Sequence, residues 1–248
     1  MRFVAFSCLL ISYVFCNVDV QQRFNAANSQ YNETNYSKAI ELYESILDDG
    51  FESVSLYYNL GNTYFRQNYI GQSVWAYNKA IKLNSRDKDL IHNLNVANSR
   101  VKDRIMLPQE YFFINIYNEI KNLMNLNEWI LISSISFLLS TILFFLMRVF
   151  QLGYSLIPKI LNIFLILTFF QHLILLDFFL NNDQVDMGVL IENQVAVRSG
   201  PFSLDDNIIV RINEGILTQV GQLQNDWVEI TLLDGTRGWI YSNNIRQL

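Results

Sequence analysis

Few residues in this chain have side chains suited to bond-making chemistry, and they do not gather. The two cysteines, Cys8 and Cys16, fall within the first sixteen residues, and the two histidines, His92 and His172, lie far apart. No Cys–His pair, GxSxG, HExxH or glycine-rich phosphate loop occurs, so the spacing that nucleophilic, metallo- or phosphoryl-transfer catalysis requires is missing. His92 has no second His or Cys at ligand spacing, so no metal and no cofactor are expected. His172 follows Gln171 inside a long apolar run, and an ionisable group in such a run is a candidate for ion or proton transfer. The remaining chemistry is recognition. Tyr58, Asn62 and Arg66, with His92 and Arg100 further on, combine amide, aromatic and guanidinium groups at helical spacing. Trp227 and Trp239 stand on either side of an alternating stretch.

The elements that must position these residues are sorted by two uncharged stretches. Trp129 to Met147 reads WILISSISFLLSTILFFLM, and Ile160 to Leu176 reads ILNIFLILTFFQHLILL. A helix of about 20 residues spans the ~30 Å hydrocarbon core. Leu, Ile and Phe dominate the second stretch, and together they favour insertion by about 4–8 kcal/mol. That outweighs Asn162, Gln171 and His172, whose polar atoms can find Ser and Thr partners in the first stretch. Two core helices of a soluble domain are the alternative. The expectation is a transmembrane hairpin, helices at 128–150 and 157–180.

About 90 residues precede the hairpin and about 65 follow it, two small-domain sizes rather than one catalytic core. The net charge of −5 and the lack of a basic cluster argue against a nucleic-acid partner. Residues 1–16, MRFVAFSCLLISYVFC, carry one early arginine and an apolar core, the pattern of a signal peptide. An acylated Cys16 is disfavoured by the bulk of Phe15, and an uncleaved anchor is the other alternative. Cleavage after Cys16 would leave no cysteine in the mature chain. The loop Arg148 to Lys159 is basic without an acid, whereas Asp177, Asp183 and Asp186 follow the second stretch. The positive-inside rule and an exporting signal then agree: both soluble segments are expected on the same, non-cytoplasmic side of the membrane.

From residue 20 to 106 the pattern is helical and it repeats. Ala39, Ile40, Tyr43 and Ile46 recur 34 residues on as Ser73, Val74, Tyr77 and Ala80, and Tyr57, Leu60 and Gly61 as Ile91, Leu94 and Asn95. With Leu60-Gly61-Asn62-Thr63-Tyr64-Phe65-Arg66 and Tyr77-Asn78-Lys79-Ala80, the segment resembles tetratricopeptide repeats, two units and a capping helix. The resemblance implies a concave groove for an extended peptide, with Tyr58, Asn62, Arg66, His92 and Arg100 facing it. Solvated polar residues are the plainer alternative. Two and a half units bury little core, so residues 17–106 alone are expected to be marginal and to gain stability from Gln109 to Glu128 or from a partner. Pro108 ends the helical run. Residues 109–127 place Phe113, Ile116, Tyr117, Ile120, Leu123 and Met124 on one face, as an interfacial amphipathic helix would. Packing of that face against the repeats is the alternative.

Residues 187–248 change to strand-like alternation, with Asp234-Gly235 as a hairpin turn signal. Val197 to Pro201, Glu214-Gly215, Trp227 to Ile230 and Gly238 to Ile240 resemble bacterial SH3 domains, with Trp227 and Trp239 as a candidate aromatic surface. The expected fold class is therefore multidomain: an all-α repeat array, a two-helix membrane hairpin and an all-β SH3-like barrel. The whole order resembles the BatE-type proteins of Bacteroides aerotolerance operons. That resemblance implies envelope-protein partners, among them membrane proteins with von Willebrand A domains, contact with peptidoglycan, and a scaffolding rather than enzymatic role. An oligomeric channel or transport component centred on His172, and an SH3-targeted cell-wall sensor, are the alternatives.

Overall fold

Small residues set how closely the first helices pack. In the computed structural model, which describes residues 19–103, 112–150, 156–180 and 186–248, a Cβ on Gly61 would lie 2.8 Å from the Tyr77 ring. The segment expected as a signal peptide, 1–16, lies outside the described residues, as do 104–106 at the end of the repetitive segment. The helices are α1 (19–32), α2 (Tyr36–Asp48), α3 (Val54–Arg66), α4 (Ile70–Leu83) and α5 (Lys88–Ser99). Ser53 caps α3 by accepting from Leu56 N, and Asp87 caps α5 by accepting from Asp89 N and Leu90 N. Thr34 and Asn68 take positive φ in the two tight turns. Ala39, Leu60, Ala76 and Ala80 are fully buried, and Tyr43, Tyr57, Trp75 and Tyr77 fill the space their small neighbours leave.

The C-terminal segment forms β1 (Met187–Leu190), β2 (Val195–Arg198), β3 (Ile208–Ile212), β4 (Leu217–Gln224), β5 (Trp227–Leu232), β6 (Arg237–Tyr241) and β7 (Ile245–Gln247). They make one antiparallel sheet in the order β3-β2-β6-β5-β4-β1-β7. Alternation sends Val228, Ile230 and Leu232 of β5 into a core with Val195, Val197 and Ile240. Gly235 has φ +90°, the conformation the β5–β6 turn needs, and Asp234 Oδ1 accepts from Thr236 N at 2.9 Å.

These two segments form one compact unit. Val189 of β1 is fully buried in the same core as Leu60 and Trp75, with Leu217 and Leu248 packed against it. Gly71 makes this fit, since a Cβ there would lie 2.5 Å from Leu190 O and 2.9 Å from Ile191 Cα. The Glu214 carboxylate accepts from Gly71 N at 2.7 Å, satisfying a backbone donor in the first turn of α4 that no α4 side chain caps. Arg246 donates to both Glu44 oxygens, at 2.7 and 3.0 Å, while its guanidinium lies 3.4 Å from the Trp75 ring centroid. Trp75 Nε1 donates to Gln247 O at 2.8 Å. Asp103 accepts from Asn213 N at 2.6 Å and from its side-chain amide at 3.1 Å. The missing core of a short helical segment is supplied by the sheet.

A second unit covers 109–184. It holds α6 (Phe112–Asn122), α7 (Leu126–Phe150) and α8 (Leu156–Leu180). Asn125 and Glu128 cap α7 reciprocally, each side chain accepting from the other's backbone N–H at 2.9 Å. The spans Leu126–Val149 and Pro158–Leu180 are long and apolar enough to cross a membrane. Their outer faces are Leu, Ile and Phe, and Ser133, Ser136, Ser140 and Thr168 are buried. Ser136 and Thr168 hydroxyls meet at 2.7 Å across the pair. His172 Nδ1 lies 2.8 Å from Thr168 O and 3.2 Å from Ser133 Oγ. A carbonyl only accepts, so the Nδ1 proton is on that nitrogen. Lys121 forms an ion pair with Asp177 and lies 4.5 Å from the Phe178 ring centroid. On α6, Ile114, Ile116 and Ile120 are exposed, as is Leu123 just after its end.

Candidate functional site

Every second helix of the N-terminal segment contributes to one groove. On α3, Asn59, Asn62 and Arg66 are spaced three and four residues apart, so they share a face. Asn28 and Tyr31 of α1 stand on one side of them, Asn93 and Val96 of α5 on the other. Two depressions, about 240 and 340 Å³, share Tyr31 and Asn62 as a common wall.

The groove's amides are held in place by buried phenols. Asn28 Oδ1 accepts from the Tyr43 hydroxyl at 2.6 Å and from Asn59 Nδ2 at 2.9 Å. Asn62 Oδ1 accepts from the Tyr77 hydroxyl at 2.7 Å and from Asn93 Nδ2 at 3.1 Å. Burial pushes the Tyr43 phenol up to about 12 and raises Tyr77 as well, so both hydroxyls stay protonated donors. With both lone-pair directions of Asn62 Oδ1 used, its Nδ2 protons remain to donate to an occupant. Asn59, whose Nδ2 is engaged, offers its Oδ1 as an acceptor. Donor and acceptor thus sit one helical turn apart, the arrangement that meets the C=O and N–H of an extended backbone. Arg66 is exposed at the end of α3, and its hydrogen bond with the Tyr31 hydroxyl raises its pKa.

The residues singled out from the sequence divide. Asn62 and Arg66 line the groove. Tyr58 is half-buried beneath it, its hydroxyl accepting from Asn93 Nδ2 at 3.2 Å. His92 is exposed, and the α5 amide that joins the network is its neighbour Asn93. Arg100 stacks 4.2 Å from the Phe65 centroid and lines a separate cleft of about 350 Å³ toward the sheet. Asn28, Tyr31, Asn59 and Asn93 were not singled out. Asn59 and Asn93 are separated by the 34-residue repeat offset, a signal that points to them.

In the sheet, the register pairs Trp227 with Tyr241 and Glu229 with Trp239. All four therefore lie on the face opposite Val228, Ile230 and Ile240. Trp227 stacks on Tyr241 at 4.0 Å between centroids, and Trp239 is half-buried beside them. Trp227 is buried, at 9% exposure, although outside the Val228, Ile230 and Ile240 cluster, so the solvent-facing part is Tyr241 with half-buried Trp239. Together they make an aromatic strip on the outer face of the β5–β6 ribbon. Among the described residues no three His, Cys, Asp or Glu side chains gather where they could hold a metal ion.

A comparison with curated proteins finds no match to this chain. Residues 192–247, the stretch from β2 through β7, match the bacterial SH3 domain family.

Proposed function

We propose that this protein is a non-catalytic scaffold of the bacterial inner membrane. It would present a peptide-binding groove and an SH3 module to the periplasm, where an envelope complex of the aerotolerance type assembles. The helical segment is read as tetratricopeptide repeats, a reading supported by the 34-residue recurrence and by the Gly61–Tyr77 packing. The observation that carries the functional reading is the groove. Asn28 and Asn62 are fixed by buried tyrosines and in turn hold Asn59 and Asn93, with donors and acceptors spaced for an extended backbone. Preorganised amides give up little side-chain entropy on binding. Arg66 supplies a charge-assisted contact for a carboxylate on the bound segment. The SH3 match and the outward aromatic strip support contact with peptidoglycan, and the two apolar helices support anchoring. Confined to one layer, two weak contacts reinforce each other through effective concentration. The favoured groove partner is a membrane protein carrying a von Willebrand A domain.

The test is co-purification from native membranes after crosslinking, with partners identified by mass spectrometry. The double substitution Asn62→Ala, Arg66→Glu should remove a von Willebrand A protein from the captured set, and Arg66→Glu alone, at an exposed residue, should weaken that capture while leaving the melting temperature within a few degrees. An unchanged set would sink the reading.

A further inference from the structure

The groove does not stop at Arg66. Phe65 lines it from α3, and the Arg100 guanidinium lies over that ring at 4.2 Å. Arg100 in turn lines the cleft of about 350 Å³ that the end of α5 makes with the sheet segment. Lys102, Asn193 and Asn213 border the same cleft. One arginine thus forms the ridge between two depressions, and both open to solvent beside it.

The exposed charges along this path are cationic: Arg66, Arg100 and Lys102. Glu214 also lines the cleft and Asp103 stands beside it, both half-buried and bonded to cleft amides. Asp103 accepts from the backbone and side-chain amides of Asn213. Glu214 accepts from Gly71 N at 2.7 Å and from Asn193 Nδ2 at 2.9 Å. These neutral donors orient the carboxylates without cancelling their charge, so three exposed cations face two half-buried acids and the cations remain in excess. Asn193 Oδ1 remains as an acceptor for a backbone N–H.

We infer that the groove and the helix–sheet cleft are one continuous site for an extended acidic peptide. The SH3 module completes it through Asn193 and the cleft rather than through its aromatic strip. Such a segment would lay carboxylates successively on Arg66, Arg100 and Lys102, with its backbone on the groove amides. Six extended residues reach roughly 20 Å, enough to pass from one depression over the ridge into the next. This rests on the groove reading above, and the variants below separate the two.

The experiment uses the full chain in detergent micelles at low salt. The probes are fluorescein-labelled hexaglutamate and hexaglutamine, and the readout is anisotropy. Hexaglutamate should bind at least tenfold more tightly than hexaglutamine. Arg66→Glu and Lys102→Glu should each weaken it about tenfold, Lys102→Gln and Asn193→Ala about threefold, and Arg237→Glu, on the outer face of β6, should leave it unchanged. Each cation removed should also flatten the dependence of affinity on salt. Loss with Arg66→Glu but not with Lys102→Glu overturns the continuous site and keeps the groove. Loss with Lys102→Glu alone overturns the groove and the continuity together. Equal binding of the two probes, or an equal loss with Arg237→Glu, overturns the acidic class.

Discussion

Replacing Gly71 by alanine would add one methyl group and should reverse the sign that helix propensity predicts. In an exposed helix interior, Gly→Ala stabilises by about 1 kcal/mol, because glycine loses more backbone entropy on folding. At Gly71 the added Cβ would lie 2.5 Å from Leu190 O, 2.9 Å from Ile191 Cα and 2.9 Å from Glu214 Cβ. Two of these three are backbone atoms of the sheet segment, so no side-chain rotation relieves them. Opening the nearest contact to an ordinary separation moves β1 away from α4 by several tenths of an ångström. That strains the 2.7 Å bond from Gly71 N to Glu214 and the packing of Val189. Overpacking of this kind costs about 1–3 kcal/mol, and loss of the carboxylate cap about 1 more. Against a propensity gain of at most about 1 kcal/mol, the net effect is destabilisation by roughly 1–3 kcal/mol. Urea unfolding of the detergent-solubilised chain, followed by tryptophan fluorescence, measures it. Hydrogen exchange should speed up in β1 and in the first turn of α4 and stay unchanged in α7. A Gly71→Ala protein as stable as the parent, or more so, would mean that the sheet does not pack on α4 as described.

Two further outcomes follow from the same interface and core. Glu44→Gln and Arg246→Met should couple by about 1–3 kcal/mol in a double-mutant cycle, because the pair is bidentate, about three-quarters buried and stacked on Trp75. Coupling below about 0.5 kcal/mol would assign the docking to apolar burial alone. The second outcome is alkaline. The Tyr43 phenol is raised from 10 to about 12 by burial, and Tyr57, Tyr64 and Tyr77 are raised by the same cause. The folded state therefore holds these protons more tightly than the unfolded chain. That stability is fully present below pH 10 and is lost as pH rises from 10 through 12, by a few kcal/mol at most for Tyr43. Urea midpoints should fall steeply above pH 10, with the share of the 295 nm absorbance change that belongs to Tyr43, Tyr57, Tyr64 and Tyr77 appearing only on unfolding. A full-amplitude change reached before unfolding would contradict the buried core.

What the sequence made legible was what local pattern determines. The Asp234-Gly235 turn, the alternation of β5, and the two apolar helices each depend on neighbours within a few residues. Asn62 and Arg66 were readable because helical spacing puts them on one face. Asn93 was less so, since the repeat offset carries Tyr58 onto exposed His92 as well as Asn59 onto Asn93, and only the packing decides between them. The helix–sheet interface left no local trace. Glu44 and Arg246 look like ordinary solvated charges, and Gly71 like a weak spot in a helix. Their roles appear only when residues 143 to 202 positions apart meet. The need for extra core was inferable from two and a half repeats, but its source was not.

The shared core of 19–103 and 186–248 also bears on how two helices long and apolar enough to cross a membrane would enter a bilayer. A single fold assembled from both flanks of a hairpin admits only an even number of crossings between them. One crossing would put Glu44 and Arg246 on opposite sides of a hydrocarbon layer about 30 Å thick. A chain in which α7 inserted and α8 did not would leave Val189 without its helical partners and Trp75 without the Arg246 that covers it. Such a chain would expose apolar surface on two half-folded segments and become a substrate for proteases. Docking of the sheet onto α4 thereby acts as a parity check on insertion. Only molecules in which both spans have crossed, or neither, can close the unit that carries the groove.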